Sequence, residues 1–192
     1  MSGFEYLVAL ASVVAGLGLT RALSGFAKII HMRDQVQVSD VNVIWTVTIL
    51  LWLVSYWWFT FSFAAIAQWN IPLFLFVLVY GALIFFLIAL LYPDSLDSGM
   101  DLFEHFLMTR RWFFGTFIGL GFVDLADVWI KLSYGIPPPP AFTYSVFMAT
   151  WLLVGIIGAV VTKRAVQRSL AYIWFVVVAS NAILGISPAM PI

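Results

Sequence analysis

The chain has 192 residues, of which 64% are hydrophobic and only 9% charged, against the usual quarter charged in water-soluble domains. That balance excludes a soluble globule of this size and makes lipid the solvent. Nine basic and nine acidic side chains cancel, no basic block suits a nucleic acid, and the absence of cysteine rules out disulfides, thiolate metal sites and cysteine nucleophiles.

Crossing about 30 Å of hydrocarbon takes roughly 20 mostly apolar residues in a helix. Six such runs are predicted, at about Phe4–Ile30, Val41–Ala67, Ile71–Tyr92, Trp112–Leu132, Phe142–Thr162 and Ser169–Ile186. The predicted class is therefore all-α, a single multi-pass membrane domain over residues 1–192. The first run begins with Glu5 and meets its first basic residue only at Arg21. This is the reverse of a cleavable signal peptide and suggests a helix with its start outside. Glu5 suits the positive end of the helix dipole. It and Tyr6 are also partner candidates for polar groups at the outer face. Arg21, ~26 Å along from Phe4 at the helical rise, is an inner-face charge expected to snorkel to headgroups. In the same helix Ala11, Ala15, Gly18, Ala22 and Gly25 form a stripe of small residues. Such stripes let backbones approach closely in lipid and mark a face for packing, for self-association or for other membrane chains.

The second run carries LWLVSYWWFTFSF (Leu51–Phe63), with Trp52, Tyr56, Phe59 and Phe63 on one side and Trp57 with Phe61 on another. Trp52 is too deep for an interfacial aromatic belt and must pack on something: the protein's own core, lipid, or a flat apolar ligand lying along Trp52, Tyr56 and Phe59. Between the third and fourth runs, DSGMDLFEHFLMTR (Asp97–Arg110) reads as a short amphipathic helix over about 98–111, lying at the cytoplasmic membrane surface. Ser98 and Asp101 resemble a capping box there. The alternative is a cytoplasmic extension of the fourth helix.

The fourth run holds GTFIG, with Gly115 and Gly119 at the spacing of a helix-packing motif, and then GFVDLADVWIKL (Gly121–Leu132). Counted from Trp112, Asp124, Asp127 and Lys131 lie ~18, ~22 and ~28 Å along the helix, on one face. Asp127 is positioned to pair with Lys131. Asp124 is deeper and uncompensated, and an intramembrane carboxylate suggests function by default. Asn181 on the sixth run is at similar depth. The binding candidates are thus Asp124, Asp127, Lys131, Asn181 and Glu5.

Tyr134-Gly135-Ile136 and Pro137–Pro140 follow. Four prolines cannot continue a helix and should form a stiff polyproline II spacer. The fifth run carries Gly155 and Ala159, again packing residues.

Basic residues in short loops face the cytoplasm. With the N-terminus outside, Arg21, Lys28, Arg33, Arg110, Arg111, Lys163, Arg164 and Arg168 fall inside and Lys131 alone outside. Both ends of the chain, including SPAMPI, are then outside. Six helices of this topology divide into two inverted halves of three. A faint echo supports that, since Ala15–Ile29 overlays Ile118–Leu132 with Arg21 on Asp124. No cofactor or metal is expected, because His31 and His105 both flank rather than enter the predicted spans. The absence of HExxH, P-loop and GxSxG patterns argues against an enzyme.

The segment FEYLVALASVVAGLGLTRALSGFAKIIHMRDQV, with Phe4, Glu5, Tyr6, Gly16, Gly18 and Thr20, resembles a group of small bacterial integral membrane proteins of unknown function. YWWF (Tyr56–Phe59), LYP (Leu91–Pro93) and RRWFF (Arg110–Phe114) are also similar to it. The resemblance covers about the first 115 residues. It implies a bacterial inner-membrane location and brings no activity. Two expectations follow from the residues: a small permease or ion-coupled transporter using Asp124, or a non-catalytic accessory or assembly subunit of a membrane complex. A lipid- or isoprenoid-binding protein using the Trp52 stripe is a third.

Overall fold

The computed structural model describes residues 3–66 and 69–183. Within them the chain is helical throughout: α1 (Gly3–His31), α2 (Asp40–Phe59), a 3-10 helix (Thr60–Ala65), α3 (Ile71–Leu91), α4 (Leu102–Ser133), α5 (Ala141–Val160) and α6 (Arg164–Ile183). Among the described residues six helices, α2 counted with its 3-10 extension, are long and apolar enough to cross a membrane. The lipid bilayer is thus the protein's solvent. The predicted ends at Ala67 and Ile186, and the segment SPAMPI, lie outside the described residues.

α2 is the central helix and packs against α1, α3, α4 and α6. α1 lies on α3 and α2, α3 on α4, and α4 on α5. The small-residue stripe of α1 is used inside the chain. Ala11, Gly18, Ala22 and Gly25 are buried, a Cβ on Gly18 would meet Leu53 of α2, and one on Gly25 would meet the Tyr92 ring after α3. Of the uses expected for this stripe, packing within the chain is the one seen, with α2 and α3 on its face. The three-plus-three pairing has no simple echo in the neighbours. α1 packs closely on α3, whereas α4 and α6 meet through the rings of Phe117 and Trp174, 4.9 Å apart.

The separate surface helix at 98–111 is also corrected. Residues from Leu102 onward are the first turns of α4, which runs unbroken for 32 residues to Ser133. Leu102, Phe103 and Phe106 are buried in the protein, so the apolar side of this segment meets other helices instead of headgroups. The start is set by Asp101, whose carboxylate accepts from the backbone N–H groups of Phe103 and Glu104 at 2.7 and 3.4 Å, the usual way a helix's unpaired first donors are satisfied. Ser98 has no part in this cap. At its other end α4 stops in a Schellman turn. Ile136 N–H bonds the Lys131 carbonyl, Gly135 N–H bonds that of Leu132, and Gly135 takes a left-handed φ of 77°, which glycine adopts without a Cβ clash. The chain then enters the proline run.

At the end of the bundle where α2, α4 and α6 begin, charges tie the loops together. Arg21 binds Asp94 at 2.7 Å and the Tyr92 carbonyl at 3.3 Å, and Lys28 reaches the Asp94 carbonyl. Arg164 pairs with Asp101 at 3.6 Å while stacking on Phe103, and Arg168 pairs with Asp40. Arg21 therefore ties a loop at this end. A plug of aromatic rings fills the interior above them. Trp45 packs edge-on against Phe113 and Phe117, and Trp52, Trp151 and Trp174 close around Phe117 with centroids 4.9–6.0 Å apart. The Trp151 indole N–H is satisfied by the Phe117 carbonyl at 2.8 Å. Such edge-to-face pairs hold the helices in one register.

Candidate functional site

Past the aromatic plug, toward the ends of α2, α4 and α6, the bundle opens into a cavity of about 690 Å³, within the size range of small-molecule sites. Its walls come from the C-terminal halves of α2, α4 and α6, the N-terminal halves of α3 and α5, the 3-10 helix and the proline run, as helices alternating in direction require. Trp52, Trp151 and Trp174 form the floor, and Pro137–Pro140 form part of the rim.

Asp124 projects into this space from α4 and is held by two hydroxyls. Tyr80 of α3 donates to Oδ1 at 3.1 Å and Tyr144 of α5 donates to Oδ2 at 2.9 Å. Both carboxylate oxygens thus receive a hydrogen bond from a different helix, which offsets the cost of removing the group from water. One turn on, Asp127 and Lys131 pair at 2.7 Å, with side chains only 16% and 15% exposed, so this pair sits inside the cavity wall and not on an open surface. The Lys131 ammonium also lies over the rings of Phe63 and Phe59, 4.8 and 5.9 Å from their centroids. Tyr56 stacks on Tyr80 with ring centroids 5.5 Å apart and donates its hydroxyl to the Val77 carbonyl at 2.8 Å.

The structure therefore brings together residues that the sequence suggested for separate reasons. Asp124, Asp127, Lys131 and Asn181 line the same cavity as Trp52, Tyr56 and Phe59. Asn181 lines the wall but turns its amide to the Val177 carbonyl of its own helix, and the bonds to Asp124 come from the two tyrosines. Glu5 and Tyr6 lie on α1, which contributes nothing to the lining, and Arg21 is at the opposite end of the bundle. Tyr80 and Tyr144 escaped the sequence reading because a lone tyrosine in an apolar run resembles an interfacial belt residue. The available signal was weak. Tyr80 sits in the middle of α3, too deep for a belt. Among the described residues no three His, Asp or Glu side chains converge to hold a metal ion.

Chemically the site offers a hydrophobic floor, an acceptor with two lone pairs already engaged, a second carboxylate and one ammonium. It is suited to holding an amphipathic molecule by its polar end. A scan against protein-family models and searches of curated proteins and of solved structures gave no match.

Proposed function

We propose that this chain is a small permease whose cavity, at the end of the bundle where α2, α4 and α6 finish, receives an amphipathic molecule. A cavity that joins intramembrane charges to an aromatic floor is the observation that carries this reading. Buried ionisable groups in membrane spans mark substrate and ion pathways, and concave apolar sites with a few convergent polar groups are the usual form of a binding pocket. It is a binding and transport function without catalysis, and the carboxylate of Asp124 is its polar anchor. The orientation proposed has both chain ends outside, supported by the eight basic residues in and around the loops toward the opposite end against Lys131 alone near the cavity mouth. The cavity then opens outward. The resemblance of the first 115 residues supports a bacterial inner membrane.

The test is uptake of amphipathic compounds into proteoliposomes containing the purified chain. Asp124→Asn and Tyr144→Phe should each reduce accumulation while leaving the protein monodisperse. Unchanged uptake by Asp124→Asn in a working assay would end this reading.

One observation favours the second reading, an accessory subunit. Gly115 and Gly119 face open space, with no atom beyond their own stretch of helix backbone within 4 Å of where a Cβ would stand, beside the exposed rings of Trp112 and Phe122. This small-residue face suits another membrane helix. It predicts co-purification of a partner chain in mild detergent, lost in Gly115→Leu. Isolation as a monomer from its native membrane counts against it.

A further inference from the structure

The cavity already contains a cation, supplied by the chain itself. The Lys131 ammonium occupies a carboxylate and two aromatic faces at once: Asp127 at 2.7 Å, Phe63 at 4.8 Å and Phe59 at 5.9 Å. This is the combination by which proteins recognise organic ammonium groups. Lys131 reaches it from the last turn of α4, on a flexible four-carbon stem that can adopt other rotamers. Its place is therefore one that a side chain can vacate without moving a helix. Two carboxylates face one ammonium in this wall, so with all three ionised the site carries a surplus of one negative charge. An anionic guest would meet both carboxylates. A neutral guest would leave the surplus unmatched. A hydrophobic cation matches the charge and the rings together.

We propose that the cavity binds a monovalent lipophilic organic cation, which exchanges with the Lys131 ammonium at Asp127 and the rings of Phe59 and Phe63. This rests on the reading of the cavity as a binding site. Exchange explains why the lysine is there. In the empty protein it keeps Asp127 from standing as an unpaired charge in hydrocarbon, which is costly, and on release of the ligand it returns to its place. Lys131 is then a competitor of the ligand, and its removal strengthens binding. If it were instead a contact for the ligand, removal would weaken binding.

The experiment uses the full chain in phosphatidylcholine nanodiscs and equilibrium dialysis against three probes, with protein-free nanodiscs as the partition control. Tetraphenylphosphonium and tetraphenylborate have the same shape and opposite charge, and triphenylphosphine oxide is neutral. Saturable binding of the phosphonium is expected, with the borate at the control level. Lys131→Met should bind the phosphonium on the order of tenfold more tightly, the scale of one charge-and-ring contact. Adding Asp127→Asn to Lys131→Met should remove that gain. Lys131→Arg, which keeps the charge, should stay near the parent. Should Lys131→Met fail to elute as the parent does, Lys131→Gln against Lys131→Arg makes the same comparison. An unchanged or weaker phosphonium affinity in a well-folded lysine variant overturns the exchange. Binding of the borate or the oxide without the phosphonium overturns the cation and leaves the cavity reading standing. If none of the three binds, the cavity reading itself falls.

Discussion

Asp124 illustrates how far residue-level reasoning carries. Its depth in an apolar run, and its place on one face with Asp127 and Lys131, follow from helical spacing. Its partners do not, because a sequence has no record of which neighbouring helix turns which side toward it. The structure answers with Tyr80 and Tyr144, from helices on either side of α4. Hydrogen bonds between membrane helices contribute about 0.6 kcal/mol on average and up to about 1.7. A double-mutant cycle of Asp124→Asn with Tyr144→Phe should therefore give a coupling of roughly 0.5–2 kcal/mol in denaturation measurements in detergent. A coupling of zero would mean that the 2.9 Å contact is idle. Asp127 with Lys131 was the more legible pair, since an i,i+4 spacing leaves few alternatives.

At the scale of the element, hydropathy located every membrane helix within the described residues but misjudged where α4 begins. An amphipathic segment such as Leu102–Leu107 presents the same apolar side whether headgroups or helices receive it. Only the fold decides, and here Leu102, Phe103 and Phe106 are enclosed by protein. The Asp101 cap is thus part of a long helix. Asp101→Ala should cost about 1 kcal/mol in stability, and Asp101→Asn, which keeps a capping oxygen, should recover most of it. The glycines separate in the same way. Gly158 faces the Phe114 ring without room for a methyl group, whereas Gly115 faces open space. Gly158→Ala should destabilise by roughly 1–3 kcal/mol through overpacking, and Gly115→Ala should be neutral or slightly stabilising through helix propensity. Thermal melts of the two single variants side by side measure this, and equal melting temperatures would contradict the packing described for α5 on α4.

Taken whole, the molecule is polarised. One end is cross-tied by Arg21–Asp94, Arg164–Asp101 and Arg168–Asp40, the middle is plugged with aromatic rings, and the other end is hollow. Each of these ion pairs has at least one well-exposed partner, and Arg168–Asp40 is open on both sides, where single pairs contribute little, about 0–1 kcal/mol. Arg168→Ala alone should therefore leave the melting temperature nearly unchanged. The hollow was not legible from sequence at all. Its walls come from five helices, and the same tryptophans would serve equally well in a solid core. Orientation is directly testable because the chain has no cysteine of its own. A membrane-impermeant maleimide should label Pro138→Cys in intact cells and Asp97→Cys only after permeabilisation, and the reverse pattern would invert the proposed topology.

The proline run gives the hollow end a property that composition alone conceals. Pro137–Pro140 line the rim and, lacking N–H groups, offer a guest there no backbone donor. The Pro140 carbonyl is already engaged, accepting from Tyr144 N–H at the start of α5. A visitor passing Pro137, Pro138 and Pro139 meets main chain that can accept hydrogen bonds and cannot donate them. A guest that carries donors can bond there, and one that carries only acceptors cannot. Selection between donors and acceptors would thus start at the entrance, before any side chain of the interior is touched.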